Sequence, residues 1–201
     1  METPTVPINF VPAKAGDTFK LGTITIRIME DGSRTDRIGS AEFTVPPHTS
    51  GPPPHWHEMS EDGAIRRHSF LLSLREGTRD IQHDETFLVT QGTLRFHALN
   101  GVTVDAKLGD YVTVPPRAPH TFSNPYDAEA KFFNTYTPAF YIDYFRLLAK
   151  MSEAGQPMNP EANRKAMAYF ATIGVADDEM QMDKKQFYGD SGAAEASAPK
   201  K

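Results

Sequence analysis

Turn signals cut the chain every few residues between Leu21 and Thr137, and this spacing limits the fold more than any other feature. They fall at Gly92, Asn100–Gly101, Gly109–Asp110, Pro115–Pro116 and Asn124–Pro125. The intervals are short and rich in β-branched and aromatic residues. They read as strands over 21–29, 38–45, 54–58, 85–90, 93–98, 102–106, 111–114, 120–123 and 130–136. In "LGTITIRIM", Ile24, Ile26 and Ile28 alternate with threonine and arginine, the period of a strand with one buried face. Many short strands joined by tight turns predict an all-β antiparallel sandwich or barrel. The 201 residues suit one such domain with appendages, large enough for a core of its own.

Near Thr137 the period changes. Tyr141, Tyr144, Phe145 and Leu148 follow helical spacing, with Thr137 able to cap, Pro138 suited to the first turn and Gly155 to the end. This aromatic stripe reads as packing. A second helix is expected from Asn159, its cap, and Pro160 to Gly174. Residues 58–82 fit neither period. They are charged, with one apolar knot at Phe70–Leu71–Leu72, and are expected to form a lid, since long loops in compact domains are commonly functional. The small, polar residues 189–201 read as a disordered tail.

The composition narrows the function. There is no cysteine, so disulfides, thiolate zinc sites and cysteine nucleophiles are excluded. The net charge is −5 without a basic block, which argues against nucleic acid as a partner. The N-terminus lacks a basic head and a continuous apolar run, and no stretch is apolar enough to span a membrane. A cytoplasmic location is the expectation.

"GPPPHWHEM" at 51–59 carries the chemistry. In a strand, residues i and i+2 face one way, roughly 6–7 Å apart. His55 and His57 therefore share a side, and two imidazoles on an inner face can grip one metal. An isolated pair of this kind reads more readily as a polar surface feature. Glu85 opens a strand that stops at Gly92, and His120 opens another after "VPPRAP". A carboxylate with imidazoles suits iron, manganese, nickel or zinc.

These residues resemble the two motifs of the cupin family. His55-Trp56-His57 with Glu85-TFLVTQ-Gly92 resembles the first; Gly109-DYVTV-Pro115 with His120-TFS-Asn124 resembles the second. The resemblance covers about residues 20–137. It implies a double-stranded β-helix (jelly-roll) barrel with C-terminal α-helices, a single domain over 1–188 with the barrel at 20–137 and the helices at about 138–174. It implies one divalent transition metal (Fe, Mn, Ni, Cu or Zn) held by His55, His57, Glu85 and His120. Two departures stand out. Arg117 replaces a motif glycine, and the insertion at 58–82 separates His57 from Glu85. Glu61 has the stricter spacing but no strand or following glycine to carry it.

Within the family the chain is most similar to small quercetin 2,3-dioxygenase-like cupins, through "PPHWH", "DETF" and "PHTF". That similarity implies a dioxygenase acting with O2 on a flavonol, polyphenol or aromatic polyketide, with Glu85 both ligand and base. His83 shares the Glu85 face and is either a second base or a solvated strand end. Phe87, Val89, Tyr111 and Phe122 are assigned to an apolar wall around the metal, or equally to barrel core. A non-redox isomerase, cyclase or lyase is the alternative enzyme, and a non-catalytic small-molecule-binding cupin the third. A homodimer is expected, with the strand of Ile24, Ile26 and Ile28 available to pair across an interface. His48 and His68 are expected at the surface, Arg95 on an outer face, and His97 on either side.

Overall fold

Alternation decides which residues enter the core. In the computed structural model, which describes residues 8–57, 84–156, 159–183 and 187, Ile24, Ile26 and Ile28 point inward and are almost fully buried. The strands are β1 (Thr18–Leu21), β2 (Ile24–Glu30), β3 (Gly39–Val45), β4 (Thr49–Ser50), β5 (His55–His57), β6 (Asp84–Gln91), β7 (Thr93–Ala98), β8 (Thr103–Lys107), β9 (Tyr111–Val114), β10 (His120–Asn124) and β11 (Ala130–Thr137). Helices α1 (Ile142–Glu153) and α2 (Pro160–Ala168) follow, then β12 (Thr172–Gly174) and α3 (Asp177–Met180).

The strands form two antiparallel sheets. One runs β1-β2-β3-β11-β6-β9 and the other β12-β5-β10-β7-β8, with β4 beside β10. Together they make the double-stranded β-helix barrel, with helices at the C-terminal end. The core lies between the sheets. Phe132 of β11 stacks on Phe43 of β3 at 4.7 Å and meets Phe122 of β10 edge-on at 5.0 Å. Burying each such ring stabilises the fold by about 1.5–3 kcal/mol. Helix α1 closes one end by turning Tyr144, Phe145 and Leu148 against this cluster.

Four expectations change. The strand expected over 21–29 begins at Ile24, because Gly22 adopts φ +58° and turns β1 onto β2. Thr137 stays in β11, opposite Asp84, and α1 begins after a short 3-10 turn without a side-chain cap. The second helix is capped by Asn159, whose Oδ1 accepts from Ala162 N, but it ends at Ala168. Thr172–Gly174 instead pairs with His55–His57, covering an edge of β5 that would otherwise stand open. Finally, β2 pairs with β1 on one side and β3 on the other. Its isoleucines fill the core of their own barrel, so this strand has no free edge for a partner. The expected lid and tail lie outside the described residues, as do His68 and Glu61. Among the described residues no helix is long and apolar enough to cross a membrane.

Candidate metal centre

Register builds the site. His55 of β5 stands opposite His120 of β10, and His57 stands opposite Thr172 of β12. Glu85 comes from β6 in the other sheet, whose inward residues are Glu85, Phe87 and Val89. Three imidazoles from one sheet thus meet one carboxylate from the other. All four are buried, and their ligand atoms lie within 4.8 Å of one another. Glu85 Oε2 is 3.0 Å from His57 Nε2 and 3.0 Å from His120 Nε2.

The opposite nitrogens fix the tautomers. His55 Nδ1 lies 2.8 Å from the Pro53 carbonyl and His120 Nδ1 lies 2.9 Å from that of Ala118. Carbonyls only accept, so each Nδ1 carries a proton, and in the neutral ring each Nε2 turns a lone pair to the centre. His57 Nδ1 lies 3.0 Å from Thr172 Oγ1. That hydroxyl donates to the Phe170 carbonyl at 3.1 Å, so it accepts from His57 and leaves the same lone pair inward. Asn134 Nδ2 donates to Glu85 Oε1 at 3.2 Å and to the Thr86 carbonyl at 2.8 Å. Burial lowers the pKa of His55 well below its ordinary value, helped by His120 and His57, and burial lowers that of His57. Burial alone would raise the pKa of Glu85; it lies well below the ordinary value where His120 and His57 turn a ring N–H or a positive charge toward it, the part a bound cation would take over.

This donor set fits a metal ion. Neutral rings protonated at Nδ1 offer Glu85 only lone pairs, so the carboxylate needs a positive centre among them. For His55 and His57, burial and repulsion between the rings oppose supplying it by charging them. Donors bound at 2.0–2.2 Å sit no more than about 4.4 Å apart, so the cluster closes on an ion by a few tenths of an ångström.

Beside the cluster lies a cavity of about 230 Å³. His55, Glu85, His120 and Asn134 form its polar end, and Phe43, Phe87, Phe122, Phe132 and Phe145 line much of the rest. No lysine or arginine is among its described lining residues. Burial raises the pKa of Tyr136 and Tyr141 well above the ordinary value, with the Glu85 charge adding to it, so both keep their protons.

Of the residues assigned to the wall, Phe87 and Phe122 line this cavity. Val89 is buried in the core away from it. Tyr111 is a correction. It is 61% exposed and pairs with exposed Leu88, whereas Val112 opposite Phe87 takes the inward position. His83 lies outside the described residues. His48 is exposed, Arg95 pairs outside with Asp105 at 2.7 Å, and His97 is buried on the outer side beneath Phe187, 2.8 Å from Ser123 Oγ. Arg117 adopts φ +63°, the left-handed turn geometry that favours the glycine it replaces. Asn134, Tyr136, Tyr141 and Thr172 escaped the sequence reading. Asn134 left one signal, a polar residue at an inward position between Phe132 and Tyr136.

A family model described as Cupin domain matches residues 76–136. No curated protein matches the sequence. Among solved structures, KdgF from Halomonas sp. is 15% identical, with 66% of this chain and 94% of that chain covered and a TM-score of 0.46. An uncharacterized conserved protein with a double-stranded β-helix domain from Klebsiella pneumoniae is 16% identical, with 60% and 81% covered and a TM-score of 0.42. A sugar phosphate isomerase from a cupin superfamily, from Silicibacter pomeroyi, is 20% identical, with 57% and 59% covered and a TM-score of 0.41. The cupin-domain match, together with the two sheets of the double-stranded β-helix, supports the cupin superfamily for this chain.

Proposed function

We propose that the protein is a metal-dependent, quercetinase-like dioxygenase acting on a neutral hydroxylated aromatic molecule, of the flavonol, polyphenol or aromatic polyketide class. The make-up of the cavity carries this reading. Imidazoles and one carboxylate line it together with many aromatic rings, and no lysine or arginine faces it among the described residues. A substrate with a remote phosphate or carboxylate would lose its hydration without gaining a counter-charge. A hydroxylated ring fits the phenylalanine walls, and one hydroxyl can donate to Asn134 Oδ1, a buried acceptor with no partner among the described residues. At about 230 Å³ the cavity is smaller than the ~300–1,000 Å³ of drug-sized pockets, which favours the smaller members of the class.

A divalent metal held by His55, His57, Glu85 and His120 would supply Lewis acidity and, for a redox-active ion, access to O2 chemistry. The chain's own groups do the positioning. Glu85, held ionised and fixed through Oε1 by Asn134, can take the proton of a substrate hydroxyl. The aromatic walls keep water from the reacting ring.

A non-redox reading has one observation in its favour. An ionised carboxylate and the protonated hydroxyls of Tyr136 and Tyr141 share the cavity, the base and acid that an isomerisation, cyclisation or elimination needs. Oxygen uptake separates the two. Chelated protein is reloaded with Fe, Mn, Ni, Cu or Zn and offered catechols, flavonols and aromatic polyketides. The dioxygenase reading expects uptake with at least one pair, abolished in His57→Ala. Product formed without uptake, carrying solvent deuterium, would instead establish the non-redox reading.

A further inference from the structure

Two of the three histidines orient themselves locally. His55 and His120 each donate to a carbonyl two residues earlier in the chain. His57 reaches further. Its Nδ1 partner is a side chain 115 residues away, Thr172 on the short strand between α2 and α3. We infer that Thr172 is the positioning residue that holds His57 in its metal-binding tautomer, so that the C-terminal appendage is part of the metal centre. This rests on the metal reading given above.

A hydroxyl has one proton and two lone pairs. Thr172 places its proton on the Phe170 carbonyl at 3.1 Å. With that proton placed, the hydroxyl can only accept from His57 Nδ1 at 3.0 Å. No capacity remains to donate to His57, so Nδ1 must be the protonated nitrogen. The competing tautomer has a partner at hand. With the proton on Nε2, His57 would donate to Glu85 Oε2 at 3.0 Å and withdraw its lone pair from the centre. Thr172 is buried directly opposite His57 in the β5–β12 ladder, which fixes the hydroxyl in place.

The test uses full-length, chelated protein titrated calorimetrically with Zn2+ and, separately, Mn2+. Thr172→Val keeps the shape and removes the acceptor; Thr172→Ser keeps the acceptor. Loss of such an outer partner lowers metal affinity about 10–100-fold, so the valine variant should weaken by that factor while the serine variant stays within about threefold. 15N-histidine NMR of the metal-free proteins should place the His57 proton on Nδ1 in wild type and T172S, and on Nε2 in T172V. Valine binding as tightly as wild type, an unchanged His57 tautomer, or serine as weak as valine would each overturn the inference. If wild type binds neither metal, the metal reading falls, and the tautomer comparison still decides the role of Thr172.

Discussion

Replacing Asn134 with aspartate tests the electrostatics of the centre through stability alone. The substitution keeps the shape but turns the donor that faces Glu85 into an anionic oxygen, about 3.2 Å from Oε1. At an effective dielectric of about 20, two full charges at that separation repel by about 5 kcal/mol. One of the two carboxyls therefore has its folded-state pKa raised above the ordinary value of about 4. A raised folded pKa fixes the sign: the penalty is absent below about pH 4, grows with rising pH, and levels off above the raised value. At low pH the retained proton restores a hydrogen bond in place of the amide. Urea denaturation of chelated wild type and N134D at pH 5 and pH 8 measures the difference. A cluster histidine that gains a proton beside the added carboxylate contributes with the same sign, since a raised folded pKa favours the fold at low pH. The variant should lose about 2–4 kcal/mol more at pH 8 than at pH 5. An equal loss at both pH values would refute the claim that Asn134 faces an ionised Glu85.

Two further predictions concern the cavity and its surroundings. Phe132→Ala removes a fully buried ring stacked on Phe43 and should cost about 3–5 kcal/mol, read as a fall in thermal midpoint; a loss under about 1 kcal/mol would contradict its place in the core. Tyr111→Ser alters an exposed position and should change stability by no more than about 0.5 kcal/mol, with metal affinity unchanged; a weakened metal site would return Tyr111 to the wall.

Much of the barrel was legible because its signals are local. Period-two alternation marked β2, and Gly92 marked the end of β6. The four clustered residues were legible through two short motifs that each sit at a strand start. The failures have physical causes. In "YVTV" the aromatic and valine phases compete, and assigning Tyr111 to the wall put it on the wrong face of β9. Strand β12 is three residues long and follows a helix; only the open edge of β5 makes it a strand. Thr172 and Tyr141 join the site through contacts that no local pattern encodes, since their partner His57 is distant in sequence.

The central claim is that His55, His57, Glu85 and His120 form one metal site. Elemental analysis tests it most directly, on chelated protein reloaded with excess Zn2+ and desalted, for wild type and His57→Ala. The account predicts about one ion per chain in wild type and a loss of most of it in the variant, with the fold retained, since a barrel of this size has its own core. Wild type that retains no metal, or a variant that retains as much as wild type, would contradict it.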